Sequence, residues 1–241
     1  LITGLSGFAG SYLGEHLAKE GAEVYGLVRR RADGDTPRNI KAHGLDESAT
    51  VLTGDLLEPA GLIDALDESR PEVVLHLAAQ SFVPRSFQYP NETYVANLTG
   101  TLNLLEAIRL RKLSPTFVFA GSSEEYGLVF GSHAQYESFK SRHGVVISEP
   151  VSIPELPVNE NNPLRPMSPY GVSKVQSDYM TRNYSMLEDI PAIVSRAFNH
   201  EGPGRGHMFV TSIIARQVAQ IARGTEDPKI VIGNVNSYRD W

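Results

Sequence analysis

The chain has 241 residues, 41% of them hydrophobic and 21% charged, which suffices for one sizeable core without a disulfide or metal and is too apolar for wholesale disorder. It has no cysteine, which excludes disulfide scaffolds, thiolate metal sites and cysteine nucleophiles. Lys and Arg number 22 against 28 Asp and Glu, and the net charge of −6 argues against non-specific nucleic-acid or anionic-membrane binding. No apolar run approaches the roughly 20 residues of a membrane span, and no charged, apolar leader opens the chain. A cytoplasmic protein is expected, and the missing initiator Met is expected of a trimmed chain.

Short apolar runs alternate with longer periodic stretches. Residues 23–28, 50–53, 73–77 and 116–120 read as strands, each bounded by Gly, Pro or charge. Between them, residues 11–20, 59–69 and 91–113 carry helical stripes, the last through Val95, Leu98, Leu102, Leu105 and Ile108. Further on, 168–186 and 209–222 read as helices, and 192–197 and 230–232 as strands. Residues 128–157 show no clear period and read as an insertion, with room for one short helix. Strands hydrophobic on both faces and separated by helices predict an α/β fold, a doubly wound parallel sheet of Rossmann type. Its ligand belongs at the carboxyl ends of the strands.

Thr3-Gly4-Leu5-Ser6-Gly7-Phe8-Ala9-Gly10 joins the first strand to a helix. Gly4 permits a tight turn, Gly7 a close approach of backbone to a pyrophosphate, and Gly10 close packing of helix on strand. The spacing is G-x-x-G-x-x-G; a plain turn is the alternative, but its place after the first strand favours a dinucleotide. Arg29, Arg30 and Arg31 follow the second strand, where an arginine accommodates a 2′-phosphate; this favours NADP, with NAD and a solvated basic loop as alternatives. Asp55 and Leu56 are placed to flank the adenine, and Leu77, Ala78 and Ala79 offer small side chains where the cofactor passes the sheet edge.

Tyr170 and Lys174 stand four apart, on one side of a helix. A phenol near pKa 10 is a poor base at neutral pH, so a neighbouring lysine charge and an oxidised nicotinamide are both expected to favour phenolate. Ser122 follows the fifth predicted strand and would share a substrate proton with Tyr170. Glu124 and Glu125 come next; a solvated pair is the bland alternative, whereas a carboxylate in the pocket would move protons at carbon, which alcohol oxidation does not need. The seven histidines are scattered without ligand-like spacing, so no metal is expected.

The ordered set of residues 3–10, Asp55-Leu56, residues 122–127 and Tyr170 with Lys174 resembles the extended short-chain dehydrogenase/reductases that act on nucleotide sugars. Within that branch the chain is most similar to the GDP-mannose 4,6-dehydratases. The supporting stretches are residues 10–13, 26–30, 79–81, 168–171, 198–201, 209–211 and 239–241. Residues 202–205, 122–126 and 165–170 also resemble the GDP-4-keto-6-deoxymannose reductases, and a 4-epimerase is a third expectation. A non-catalytic module that senses cofactor ratio is the alternative of a different class.

The resemblance implies that Tyr170, helped by Lys174 and Ser122, deprotonates the sugar 4-hydroxyl as hydride leaves C4 for NADP. Glu124 then removes the C5 proton and helps the C6 hydroxyl leave as water, and hydride returns to C6. It also implies that Gln80, Ser81, Ser123, Asn199, Arg205, Val210 and Arg239 hold the nucleotide sugar, Asn199, Arg205 and Arg239 at its diphosphate. Residues 1–190 would form the dinucleotide-binding part and 191–241 the start of a smaller, truncated substrate-binding part interleaved with it. A homodimer or homotetramer, paired through the helices at 91–113 and 168–186, is expected from the resemblance alone.

Overall fold

The computed structural model describes residues 1–29 and 34–235. Six strands form one sheet: β1 (Ile2–Thr3), β2 (Tyr25–Val28), β3 (Thr50–Thr53), β4 (Val73–His76), β5 (Thr116–Ala120) and β6 (Ala192–Ser195). Their order is β3-β2-β1-β4-β5-β6, and every neighbouring pair is parallel. The chain begins in mid-sheet, builds outward to β3, then crosses to the other side of β1. That reversal opens a crevice at the carboxyl ends of β1 and β4, where Ile2 is in register with both Gly26 and Leu75. The doubly wound parallel fold expected from the alternating pattern is the fold observed.

Ten α-helices are assigned among the described residues: α1 (Phe8–Lys19), α2 (Arg38–Ala42), α3 (Leu45–Ser48), α4 (Pro59–Ser69), α5 (Val83–Gln88), α6 (Pro90–Tyr94), α7 (Gly100–Leu110), α8 (His133–His143), α9 (Pro169–Leu187) and α10 (Val210–Ala222). The inner strands read as apolar runs because both faces are covered, whereas the edge strands β3 and β6 are more exposed. On one face Leu62 and Leu66 of α4 and Leu104, Leu105 and Ile108 of α7 pack on Leu27, Val74, Phe117 and Phe119. On the other, α1, α2 and α3 bring Leu13, Leu17, Ile40 and Leu45 against Ile2, Val28 and Leu75. Each such side chain, fully buried, contributes about 1.5–3 kcal/mol. Local chemistry starts the helices where the sequence allows. Pro59 opens α4, and Ser168 caps α9, its Oγ accepting the Gly171 N–H at 3.0 Å, with Pro169 at the first helical position.

Three expectations are corrected. The helix expected over 91–113 runs through α6 and α7 with a π-helical turn at Val95–Thr99 between them, and α7 ends at Leu110. The strand expected at 230–232 does not form; the Gln217 side chain instead pairs with the Val231 N–H and C=O, at 2.7 and 2.9 Å, where a neighbouring strand would bond. The short helices α2, α3 and α5 have too few turns to show a stripe and were not expected. The insertion holds one helix, α8, which has no buried residue. No described helix is long and apolar enough to cross a membrane.

Candidate functional site

A cleft of about 2130 Å³ opens at the carboxyl ends of the strands. It exceeds the roughly 300–1,000 Å³ of a single drug-sized pocket and has room for two ligands side by side. The glycine turn forms one wall. Gly4 has φ +77°, and a Cβ on Gly10 would stand 2.3 Å from the Gly4 carbonyl, so α1 can start this close to β1 only without a side chain there. Gly7 is the N-cap of α1, with no side-chain cap and no acidic residue in the first turn. The first N–H groups of α1 thus face the cleft beside Phe8 and Ala9. This wall fits a dinucleotide pyrophosphate. At the adenosine end Arg29 and Arg38 line the cleft with Asp55 and Leu56. Asp55 turns the chain by accepting the Leu57 N–H at 2.9 Å, and Leu56 is fixed through its carbonyl by Asn103 at 2.8 Å. Leu77, Ala78 and Ala79 form the floor; the Ala78 N–H donates to Thr3 Oγ1 at 3.2 Å.

Beneath that floor His76 is buried, its ring nitrogens 2.7 Å from Thr3 Oγ1 and 3.0 Å from Thr101 Oγ1. Burial, aided by the Lys174 charge, lowers its pKa to about 3, so it is a neutral fastener between β1 and α7. Asn97, in the π-turn, is also buried and joins three elements. Its Oδ1 accepts the Gln80 N–H at 2.7 Å, and its Nδ2 donates to the Gln80 carbonyl at 3.1 Å and to Ser173 of α9 at 2.9 Å. The expected substrate residue Gln80 lines the cleft, yet its amide is occupied internally, donating to Thr93 Oγ1 at 2.9 Å and accepting the Phe82 N–H at 2.7 Å. These bonds brace the wall from the loop after β4.

The opposite wall carries Ser122, Ser123 and Glu124 after β5, and Tyr170 and Lys174 on α9. A Cβ on Gly171 would lie 2.6 Å from the Glu124 carbonyl, so the serine-glutamate loop sits directly on the start of α9. Lys174 is buried, donates to the Ala120 carbonyl at 2.6 Å, and stands 4.8 Å from the Phe119 ring centre and 5.9 Å from that of Tyr170. Burial lowers its pKa to about 8, with Glu125 opposing the fall. Contrary to expectation, the Tyr170 phenol is pushed up to about 12. Burial is the main cause and the Glu124 and Glu125 charges add to it; a hydrogen bond with Ser122 and the Arg205 charge act the other way. The lysine is turned to a backbone carbonyl, and desolvation of the phenol wins.

Ser81, Asn199, Arg205 and Val210 complete the lining. Arg205 packs over the Phe209 ring at 3.9 Å and pairs with Glu201 at 3.2 Å. Its loop closes over the glycine turn, where Tyr12 donates to the Pro203 carbonyl at 3.1 Å. Arg30 and Arg239 lie outside the described residues. Sequence reasoning passed over Asn97, Arg38, Asp178 and Arg196, and named Glu125 only beside Glu124 as one of a pair. The buried place of Glu125 did have a local signal: Ser122-x-x-Glu125 is a capping-box pattern, here formed.

A glycine turn and a Tyr-x-x-x-Lys helix facing each other across the switch point of a parallel sheet define a dinucleotide-binding α/β protein of the dehydrogenase type. More narrowly, the chain belongs to the NAD dependent epimerase/dehydratase family, which matches residues 1–241. It is 36% identical over 247 residues to the GDP-mannose 4,6-dehydratase of Yersinia enterocolitica, an alignment covering all of this chain and 60% of that protein. The chain spans about 60% of the length of the curated relatives it matches. Among solved structures it resembles RMD from Pseudomonas aeruginosa complexed with NADPH, at 31% identity and a TM-score of 0.67 over 94% of this chain and 62% of that one. It also resembles the UDP-glucose 4-epimerase of Thermus thermophilus in complex with NAD, at 26% identity and a TM-score of 0.68 over 92% and 62%.

Proposed function

We propose that the chain carries the cofactor site and reacting groups of an NADP-dependent nucleotide-sugar 4,6-dehydratase acting on GDP-mannose. One observation carries the reading: Glu124 lines the cleft beside Ser122 and Tyr170. Oxidation of an alcohol needs a phenol and a hydroxyl; loss of water across C5 and C6 needs a further base at carbon. The kinship with GDP-mannose 4,6-dehydratases supports the substrate. Arg29 and Arg38 at the adenosine end suit a 2′-phosphate, which favours NADP over NAD.

A dinucleotide held through its pyrophosphate at the glycine turn would supply a hydride acceptor and, when oxidised, a positive charge. Tyr170 takes the proton of the sugar 4-hydroxyl, and Ser122 shares it. Lys174, anchored on the Ala120 carbonyl, places its charge 5.9 Å from the Tyr170 ring centre, while Ser122 and Arg205 offset part of the burial that keeps the phenol protonated. With C4 a ketone the C5 proton is acidic; Glu124 removes it and passes it to the departing C6 hydroxyl, and return of the hydride to C6 with the proton held by Tyr170 delivered to C5 would leave the cofactor unchanged. Arg205 matches phosphate oxygens with its planar fork once it turns from Glu201. The exposed apolar residues Leu102 and Leu110 of α7 and Tyr179, Met186 and Leu187 of α9 support a homo-oligomer paired through these helices.

Mass spectrometry of GDP-mannose incubated with the protein and catalytic NADP⁺ tests the reading. A product lighter by one water, without net NADPH, is expected. Glu124→Gln should stop water loss and leave 4-oxidation detectable; undiminished dehydration by that variant would sink the role of Glu124. The kinship with RMD favours one second reading, reduction of a keto-sugar, which would consume NADPH stoichiometrically.

A further inference from the structure

Directly under the proposed base lies a second carboxyl group that the reaction above does not use. Glu125 is fully buried, and its Oε1 accepts the Ser122 N–H at 2.8 Å. Its Oε2 accepts Arg196 Nε at 3.0 Å. Arg196, just past β6, also donates to Asp178 Oδ2 from Nη2 at 2.6 Å and from Nε at 3.0 Å. Asp178 is equally buried and stands one turn beyond Lys174 on α9, with Arg182 on its other oxygen. The Arg196 guanidinium covers the Tyr126 ring at 5.4 Å from its centre.

Two buried carboxyls that share one guanidinium do not both ionise readily. Burial pushes Glu125 up to about 7; the Ser122 N–H opposes this and Asp178 adds to it. Asp178 is also penalised by burial, yet Arg182, Arg196 and a hydrogen bond with Glu125 hold it below its ordinary value. The shared proton therefore resides on Glu125. Its loss is felt at the site, since a Glu125 anion raises the pKa of both Tyr170 and Lys174, reinforcing Glu124 and opposing Arg205 at the phenol.

We propose that Glu125 is a positioning residue for the dehydration: its carboxyl fixes Ser122, and with it Glu124, opposite Tyr170, and its pairing with Asp178 on the single guanidinium of Arg196 keeps a second negative charge from the Tyr170–Lys174 pair. The kinetic half of this inference rests on the dehydratase reading. The structural half does not.

Glu125→Gln keeps an acceptor for the Ser122 N–H and a donor toward Asp178, but cannot ionise. The ratio of its kcat to that of the wild type should rise severalfold between about pH 6 and 9, as the wild type acquires the anion that keeps more of Tyr170 in its protonated, inactive form. Glu125→Leu leaves the Ser122 N–H without its partner, and its kcat should fall by about 10-fold or more while KM and NADP⁺ affinity stay within about twofold. Recovery of kcat by Gln relative to Leu separates positioning from packing. Where Leu fails to fold, Asp178→Asn serves instead: it relieves the like charge, so the proton should leave Glu125 at lower pH. A readout independent of turnover is the infrared C=O stretch of a protonated carboxylic acid, expected in the wild type at pH 6, lost as pH rises past neutrality, and absent from Glu125→Gln. That band in a protein that dehydrates no nucleotide sugar supports the buried proton and refutes the dehydratase reading. Dehydration with a flat pH ratio, full activity in Glu125→Leu, or an infrared band unchanged in Glu125→Gln overturns the inference.

Discussion

Glu155→Leu should destabilise the protein more than any surface change, because it strands a buried guanidinium. Arg165 and Glu155 side chains are only 5% and 3% exposed. Arg165 forms a two-pronged pair with Glu155 at 2.5 and 2.8 Å and also donates to the Ser148 and Leu128 carbonyls, at 2.7 Å each. Glu155 accepts the Phe130 N–H at 2.7 Å. Burial disfavours its charge, but Arg165 and that N–H win and hold its carboxyl below the ordinary value. Removing one partner of such a pair costs about 3–5 kcal/mol. For a chain this long each kcal/mol moves Tm by about 2–4 °C, so a fall of about 6–20 °C is expected. The double change Glu155→Leu with Arg165→Met removes both charges and should recover most of that loss. The sign with pH follows from the depressed carboxyl: its stabilisation is present above the unfolded pKa and disappears as pH falls through the lower folded value, so the gap between wild type and single variant should close in acid. Thermal unfolding of the three proteins by circular dichroism is the assay. A single variant within about 2 °C of wild type, or a double no better than the single, refutes the reasoning. Activity should fall with the single variant as well, because residue 165 pairs with Gly127, three residues beyond Glu124, and lies five before Tyr170.

Two further outcomes are expected. Gly10→Ala puts a Cβ against the Gly4 carbonyl, a backbone atom that cannot step aside, and should weaken NADP⁺ binding by isothermal titration at least about 10-fold; overpacking costs about 1–3 kcal/mol. Lys174→Met should abolish turnover yet raise Tm at pH 7, since burial lowers the lysine from 10.5 to about 8 and the native state carries that cost, on the order of 3 kcal/mol, while the group is charged. Between about pH 8 and 10.5 the native protein has released this proton and the unfolded chain has not, so wild-type stability rises with pH and the variant's advantage should shrink over that window; an advantage independent of pH would count against it.

The sheet was legible because its inner strands are covered on both faces and even the edge strands β3 and β6, exposed at alternate or most positions, remain short apolar runs that punctuation alone can frame. The glycine turn was legible for a related reason: the constraint on Gly10 comes from Gly4, six residues away. Features that depend on distant partners were not. The 230–232 run has strand composition, but a strand exists only where another pairs with it, and here the side chain of Gln217 takes those bonds. The π-turn at Val95–Thr99 leaves the helical stripe intact while changing where Asn97 points, so periodicity passes over it.

Glu124 and Glu125 show the limit most directly. They are chemically identical neighbours, and composition gives no reason to separate them. The fold separates them through two residues remote in sequence, Asp178 on α9 and Arg196 past β6, which draw one carboxyl inward and leave the other in the cleft. The Ser122-x-x-Glu125 box was the one local sign of that division, since the carboxylate that closes a capping box must turn back to its own serine. Burial is the main reason the phenol is so high in the protein alone, and this loop adds to it: what brings a base to the sugar also brings negative charge to Tyr170. A site that only oxidised an alcohol would gain by omitting Glu124. Its presence at that electrostatic cost is the strongest argument that the reaction proceeds beyond the ketone.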